Sequence, residues 1–316
     1  MSNSEHLANV MVQCFIDAVN NGVDLVPVVA DSTSTSKIKP FVEAFPDRLV
    51  NVGIAEQVMV GTAAGLALAG KVAVTCNAAP FLISRSNEQV KVDVCYNNTN
   101  VKLFGLNSGA SYGPLASTHH SIDDISVMRG FGNIQIFAPG CPVECKQIID
   151  YAIQHEGPVY IRMDGKALPV LHDAEFQFTA GEPSLLREGQ QVVICALGSV
   201  VHEAVAAADK LKEDGMDVAV VNVSSIRPLN RQSLANQLND ARHVVSVEEH
   251  NVNGGLGSVV AELMSEQGIA AKLVRLGVED GGYAAAGDRP YTRKMLSIDS
   301  AGIVKVCQQL INETSM

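Results

Sequence analysis

Residues 51 to 57 read Asn-Val-Gly-Ile-Ala-Glu-Gln and put one carboxylate, Glu56, where an extended run meets a helix. Burial at such a corner disfavours the charged form and tends to lift a carboxyl pKa toward the range useful for proton exchange. The plainer alternative is a helix-start glutamate favoured by the dipole. Two other patterns invite chemistry and read as structural. Gly254-Gly255-Leu256-Gly257 opens a helix as a phosphate loop would, but without a full nucleotide fingerprint it is a glycine turn. Cysteines 14, 76, 95, 141, 145, 195 and 307 stand singly among apolar neighbours, an odd count without metal-ligand spacing. They read as core residues in a reducing compartment. Cys141 and Cys145, four apart at a helix start, have redox pairing as the alternative.

The elements around Glu56 are what must hold it. Upstream, Arg48 to Val52 is short, apolar and β-branched, and Gly53 permits a tight exit. Downstream, Val58 to Gly70 carries Gly61, Ala63, Ala64, Gly65, Ala67 and Ala69, a helix that another backbone or a ligand can approach closely. With 316 residues, 47% hydrophobic and 18% charged, the chain is long enough for two well-cored globular domains. A net charge of −11 without a Lys/Arg cluster argues against nucleic acid or an anionic membrane as partner. The N-terminus has no basic-then-apolar leader pattern and no window reaches membrane-spanning length, so a cytoplasmic location is expected.

Apolar strand-like runs alternate with helical stretches. Leu25 to Ala30, Lys71 to Cys76, Val101 to Leu106, Asn133 to Ala138 and Pro158 to Met163 are the first strands, a parallel-sheet pattern. A polar stretch from 173 to 189 reads as a linker. The pattern restarts with strands at Gln191 to Leu197, Asp217 to Val223, His243 to Val247 and Ala271 to Leu276, and with helices at Val201 to Asp214 and Leu256 to Glu266. Ile226-Arg227-Pro228-Leu229 reads as a strand exit into a turn. The expected fold class is two three-layer α/β/α domains, 1–172 and 190–316, joined by the 173–189 linker.

Four stretches in this order resemble the transketolase family of thiamine diphosphate enzymes: Asn51 to Gln57, Gly113 to His119 leading into Ile122 to Arg129, Gly157 to Arg162, and Val247 to Asn251 followed by Gly254 to Gly257. The resemblance covers nearly the whole chain and corresponds to that family's C-terminal half. It implies a pyrimidine-binding domain at 1–172 and a transketolase C-terminal-like domain at 190–316. It further implies that Glu56 hydrogen-bonds N1′ of the aminopyrimidine and favours the tautomer that removes the thiazolium C2 proton. Phe81 matches the aromatic that stacks on the pyrimidine, with a core phenylalanine as the alternative. Asp31 matches an aspartate near the thiazolium side, with a helix cap as the alternative. His119 matches the histidine that contacts the sugar's reacting region and assists proton transfer.

The family's Gly-Asp-Gly motif, which with a later Asn holds Mg²⁺ and the diphosphate, does not occur in the sequence. The resemblance therefore implies a split enzyme. An N-terminal transketolase subunit would bind the diphosphate and most of the Mg²⁺, with no metal ligand from this chain, in an α2β2 assembly. The substrate residues depart from the family pattern. His6 stands for a phosphate-side arginine, Asn107 for a phosphate-side histidine, Gly165 beside Lys166 for a second arginine, and Leu115 for the hydroxyl-reading aspartate. Thr35 keeps a hydroxyl where the family has serine. Losing charge-assisted contacts worth about 1.5–3 kcal/mol each implies that ketol transfer is kept on a non-standard sugar or sugar phosphate, with His6 or Lys166 free to bind an anion another way. The competing functions are a 1-deoxyxylulose-5-phosphate synthase-like condensation, a 2-oxoacid dehydrogenase beta subunit, and a noncatalytic regulatory or binding subunit.

Overall fold

The computed structural model describes residues 4–31, 33, 36–284 and 286–314. In chain order the strands are β1 Ser4–His6, β2 Leu25–Val29, β3 Val50–Asn51, β4 Val72–Ala78, β5 Val101–Leu106, β6 Gln135–Phe137, β7 Val159–Arg162, β8 Ala167–Pro169, β9 Ser184–Arg187, β10 Val192–Ala196, β11 Val218–Asn222, β12 Ser225–Arg227, β13 His243–Asn251 and β14 Lys272–Val278. One sheet runs β12-β6-β7-β5-β4-β2-β3, a second runs β14-β13-β10-β11-β9, and β1 pairs with β8. Within the first sheet every pairing is parallel except that of β12 with β6; within the second, every pairing except that of β9 with β11. Strands buried at every position, such as β2 (Leu25–Val29) and β5 with its single lysine, Lys102, are what a parallel sheet covered on both faces requires.

Helices cover both faces of each sheet. Leu7–Asn20 and Pro142–Gln154 pack on one face of the first sheet through Met11, Phe15, Ile148 and Ile149. Glu56–Leu68 lies on the other, through Met59, Val60 and Ala63. That second face is continuous with the interior of the second sheet: Ile134, Ile136 and Ile226 join it to Val193, Val221 and Leu263. On the far side of the second sheet, Val201–Glu213 and Ser300–Thr314 bury Ala204, Leu211, Ile303 and Cys307.

Two stretches are more ordered than sequence reasoning allowed. The 173–189 segment contains β9, which pairs antiparallel with β11, while Phe178 packs into the first core and Gln147 bonds the backbone at Phe176 and Phe178. Ser225–Arg227 is a strand that crosses back to the first sheet, opposite Ile136 and Phe137, and Arg227 donates to the carbonyls of Arg129, Phe131 and Gly132. Both pairings depend on partners remote in the chain. All the cysteines are buried and free.

Candidate active site

Parallel strands end at one edge of the sheet, and the loops leaving that edge carry the candidate residues, the usual place for a ligand in an open α/β sheet. Asp31 follows β2, Glu56 follows β3, Phe81 follows β4, Asn107 and His119 follow β5, and Lys166 follows β7. Asn51 ties the first two loops together, because its Oδ1 accepts the backbone N–H groups of both Asp31 and Gly53 at 3.0 Å. Gly53 has φ +73°, the left-handed turn that sends the chain from β3 into the Glu56–Leu68 helix.

The corner desolvates Glu56 to 6% exposure. It also supplies a cation. Arg85 Nη1 donates to Glu56 Oε1 at 2.9 Å, and Asn77 Nδ2 donates to the same oxygen at 3.3 Å. Oε2 receives no hydrogen bond among the described residues. Arg85 lies at the end of the Ala79–Arg85 helix, four residues from Phe81 and on the same face, so its guanidinium also covers the Phe81 ring at 4.1 Å.

His119 follows in the same line of contacts, edge-on to Phe81 at 5.1 Å and to Tyr112 at 5.4 Å. Thr118 Oγ1 donates its one proton to the Leu115 carbonyl at 3.0 Å, so at 2.9 Å from His119 Nδ1 it accepts. With the hydroxyl proton so assigned, Nδ1 carries the ring proton and the lone pair of the neutral ring lies on Nε2. His120, by contrast, is buried with Nε2 on the Gly113 carbonyl, and burial lowers its pKa.

Tyr112 Oη accepts from Asn107 Nδ2 at 3.1 Å, and burial raises the phenol pKa. Asn107 has φ +53° and lies directly against Gly165, where an added Cβ would come within 2.0 Å of its Oδ1. Beyond Gly165 comes exposed Lys166, and His6 pairs in register with Ala167 through the β1–β8 ribbon. An unbroken set of neighbours thus runs from Glu56 through Arg85, Phe81, His119, Tyr112 and Asn107 to Lys166 and His6. Thr35 lies outside the described residues, and Leu115 is 52% exposed with its carbonyl taken by Thr118.

Sequence reasoning missed Asn77, Arg85 and Tyr112. The signal for Arg85 was the four-residue spacing from Phe81 on a helix; Tyr112 and Asn77 needed the tertiary fold. Non-glycine positive φ angles at Asp31, Asn107 and Ala116 mark the same edge, as strained backbone often marks sites.

A second polar group is buried between the sheets. Burial opposes ionisation of Glu249, but Arg289 and Arg293 hold its carboxyl at about 2, and Arg289 also bonds Asp164. Arg162 pairs with Asp124, which also accepts the Tyr160 hydroxyl at 2.6 Å. The Gly254–Gly257 turn is closed from within the chain. Leu256 and Gly257 N–H groups donate to Glu248 at 2.7 and 2.8 Å, and a Cβ on Gly255 would meet that carboxylate at 2.0 Å.

The family model "Transketolase, pyrimidine binding domain" matches residues 7–170, and "Transketolase, C-terminal domain" matches 181–303. The chain belongs to the transketolase family. It is 67% identical over 310 residues to one of the subunits of the apulose-4-phosphate transketolase of Actinobacillus succinogenes, covering 98% of this chain and all of that one. The corresponding apulose-4-phosphate transketolase chain of Phocaeicola vulgatus is 32% identical over 315 residues, covering 97% of this chain and all of that one. Among solved structures, the inactive beta4 tetramer of a split gene transketolase superposes with TM-score 0.87 at 30% identity, covering 98% and 99% of the two chains. Campylobacter jejuni transketolase shares the fold at 16% identity and TM-score 0.83, with this chain matching 47% of it.

The chain is accordingly the pyrimidine-side subunit of a split transketolase, a ketol transferase that works as part of a two-polypeptide enzyme. Membership of the family brings dependence on thiamine diphosphate. The deoxyxylulose-phosphate synthase likeness is weaker: 33% identity over 288 residues with the Heliobacterium modesticaldum enzyme, of which the match covers 44%. No helix among the described residues is long and apolar enough to cross a membrane.

The residues fit the pyrimidine end of that cofactor. Arg85 already shows what the slot accepts: a planar nitrogen group with one face on Phe81 and an N–H on Glu56. For the metal and diphosphate end, no group of three or more His, Cys, Asp or Glu side chains among the described residues is arranged to hold an ion.

Proposed function

We propose that this subunit transfers a two-carbon ketol unit from apulose 4-phosphate, or a close ketose phosphate, to an aldose phosphate. Glu56 would bind the pyrimidine through Oε2 and hold the proton that sets its tautomer, Phe81 would stack on its face, and Asp31 would border the thiazolium side. When bound, thiamine diphosphate supplies the carbon nucleophile and the electron sink. His119, with its proton on Nδ1, presents Nε2 as the base for a sugar hydroxyl. Lys166 and His6 would take the anionic end, with Asn107 nearer the carbon chain and Thr35 adding a hydroxyl to the substrate's surroundings. The observation that carries this reading is the unbroken line of contacts from Glu56 to Asn107 along one sheet edge.

The partner subunit would contribute Mg²⁺ and the diphosphate site in an α2β2 assembly. Exposed apolar residues beside Glu56, Ile54 at 78% and Val58 at 55%, support burial of that face by another chain. Buried reduced cysteines support a cytoplasmic setting. We place the domain limits at 1–172 and 190–316, with β9 in the connecting segment counted toward the second sheet.

Calorimetry with thiamine diphosphate and Mg²⁺ tests the assignment, using this chain alone and mixed with the diphosphate-domain subunit. Saturable binding in the mixture alone, with turnover of apulose 4-phosphate, is the expected outcome. Tight binding or full turnover by this chain alone would overturn it.

A further inference from the structure

We propose that Tyr112, held in place by Asn107, hydrogen-bonds one hydroxyl of the ketose and sets which sugar this subunit accepts. The inference rests on the sugar site described above and names a residue that neither the sequence motifs nor the family match pointed to. Tyr112 and Phe81 both stand edge-on to His119, at 5.4 and 5.1 Å, so the phenol lies within one side chain's reach of the group that handles the reacting carbons. Its oxygen accepts from Asn107 Nδ2, which uses a lone pair and leaves the O–H proton for an incoming oxygen.

Asn107 is not free to turn away. Its φ of +53° fixes the backbone directly after β5, and its Oδ1 is seated where Gly165 has no Cβ. The amide therefore points its NH₂ at Tyr112, and the phenol is oriented before any sugar arrives. Because burial raises its pKa, Tyr112 stays protonated and neutral at physiological pH. A neutral donor of this kind rewards a hydroxyl or carbonyl oxygen. It gives a phosphate much less than an arginine would, which separates this subsite from the cationic end at Lys166 and His6. Leu115, the position matched to the family's hydroxyl-reading aspartate, brings no polar side chain; Tyr112 brings one from three residues earlier.

The test uses the assembled two-subunit enzyme with saturating thiamine diphosphate and Mg²⁺, and compares apulose 4-phosphate with its monodeoxy analogues. Tyr112→Phe should lower kcat/KM for the parent sugar by about 3- to 10-fold, chiefly through KM. For the one analogue that lacks the recognised hydroxyl, the same substitution should change nothing. Asn107→Asp tolerates the same backbone angle and turns the phenol O–H to donate to its carboxylate instead of to the sugar, so it should reproduce that pattern. Cofactor affinity should be unaltered in both. A Tyr112→Phe enzyme that loses the same factor on every analogue, or on none, would overturn the proposal. If the unsubstituted complex turns over xylulose 5-phosphate but not apulose 4-phosphate, the substrate assignment falls by itself, and the deoxy comparison made on xylulose 5-phosphate decides Tyr112.

Discussion

Glu56, the first residue of its helix, and Glu248, within β13, are two buried carboxyl groups of one chain, and they are satisfied in opposite ways. Glu248 is fully buried, which lifts its carboxyl pKa to about 7, and takes the N–H groups of Leu256 and Gly257, so the turn that looks like an anion loop is closed by the chain's own carboxyl group. Glu56 is nearly as buried but is bonded by side chains alone, both on Oε1, one of them from an arginine that is half exposed. Backbone donors cannot leave; a half-exposed side chain can. A carboxylate closed by its own backbone is part of the fold, whereas one closed by a movable group is poised to exchange that group for a ligand.

Substitutions can break this contrast, beginning with the largest effect. Glu56→Gln in the assembled enzyme should reduce kcat by about 10²–10⁴-fold while thermal unfolding of the chain stays unchanged. A noncatalytic subunit would show no such loss, so steady-state kinetics beside a melting curve separates the two. Glu248→Gln should do the reverse, costing about 1.5–3 kcal/mol of stability in urea titrations with activity per folded molecule retained. Arg85→Met sharpens the comparison with the smallest change. An ion pair with one partner this exposed is worth about 0.2–1 kcal/mol, so emptying the Phe81 face should tighten thiamine diphosphate binding by up to about 5-fold in calorimetry of the complex. Weaker binding by that variant would make Arg85 a cofactor ligand and not a stand-in for one.

Much of this was legible because it depends on local pattern. The strands from Leu25 to Arg162 are mostly apolar runs broken by residues such as Asn77 and Lys102, and the helix at Glu56 follows from Gly53 and a small-residue sequence. What escaped depended on distance along the chain. Arg227 became a strand residue through pairing with Ile136, some ninety positions earlier, and β9 formed because β11 offered it an edge. The same holds at the site: the Asn77–Glu56 and Arg85–Glu56 bonds join β4 and the helix after it to a different loop. Tyr112 gained its meaning from His119, a ring brought over it by the turn at Ala116, whose φ of +58° no composition rule anticipates.

The crossing strand β12 has a practical consequence for dissecting the protein. A fragment ending near residue 172 would keep every candidate site residue yet lose the strand that covers β6, leaving that strand's backbone groups unpaired at a new sheet edge. Such a fragment invites edge-to-edge association with itself. The catalytic half is therefore not an independent building block, and gene fusions or truncations that treat 172 as a seam would yield aggregates before they yield information.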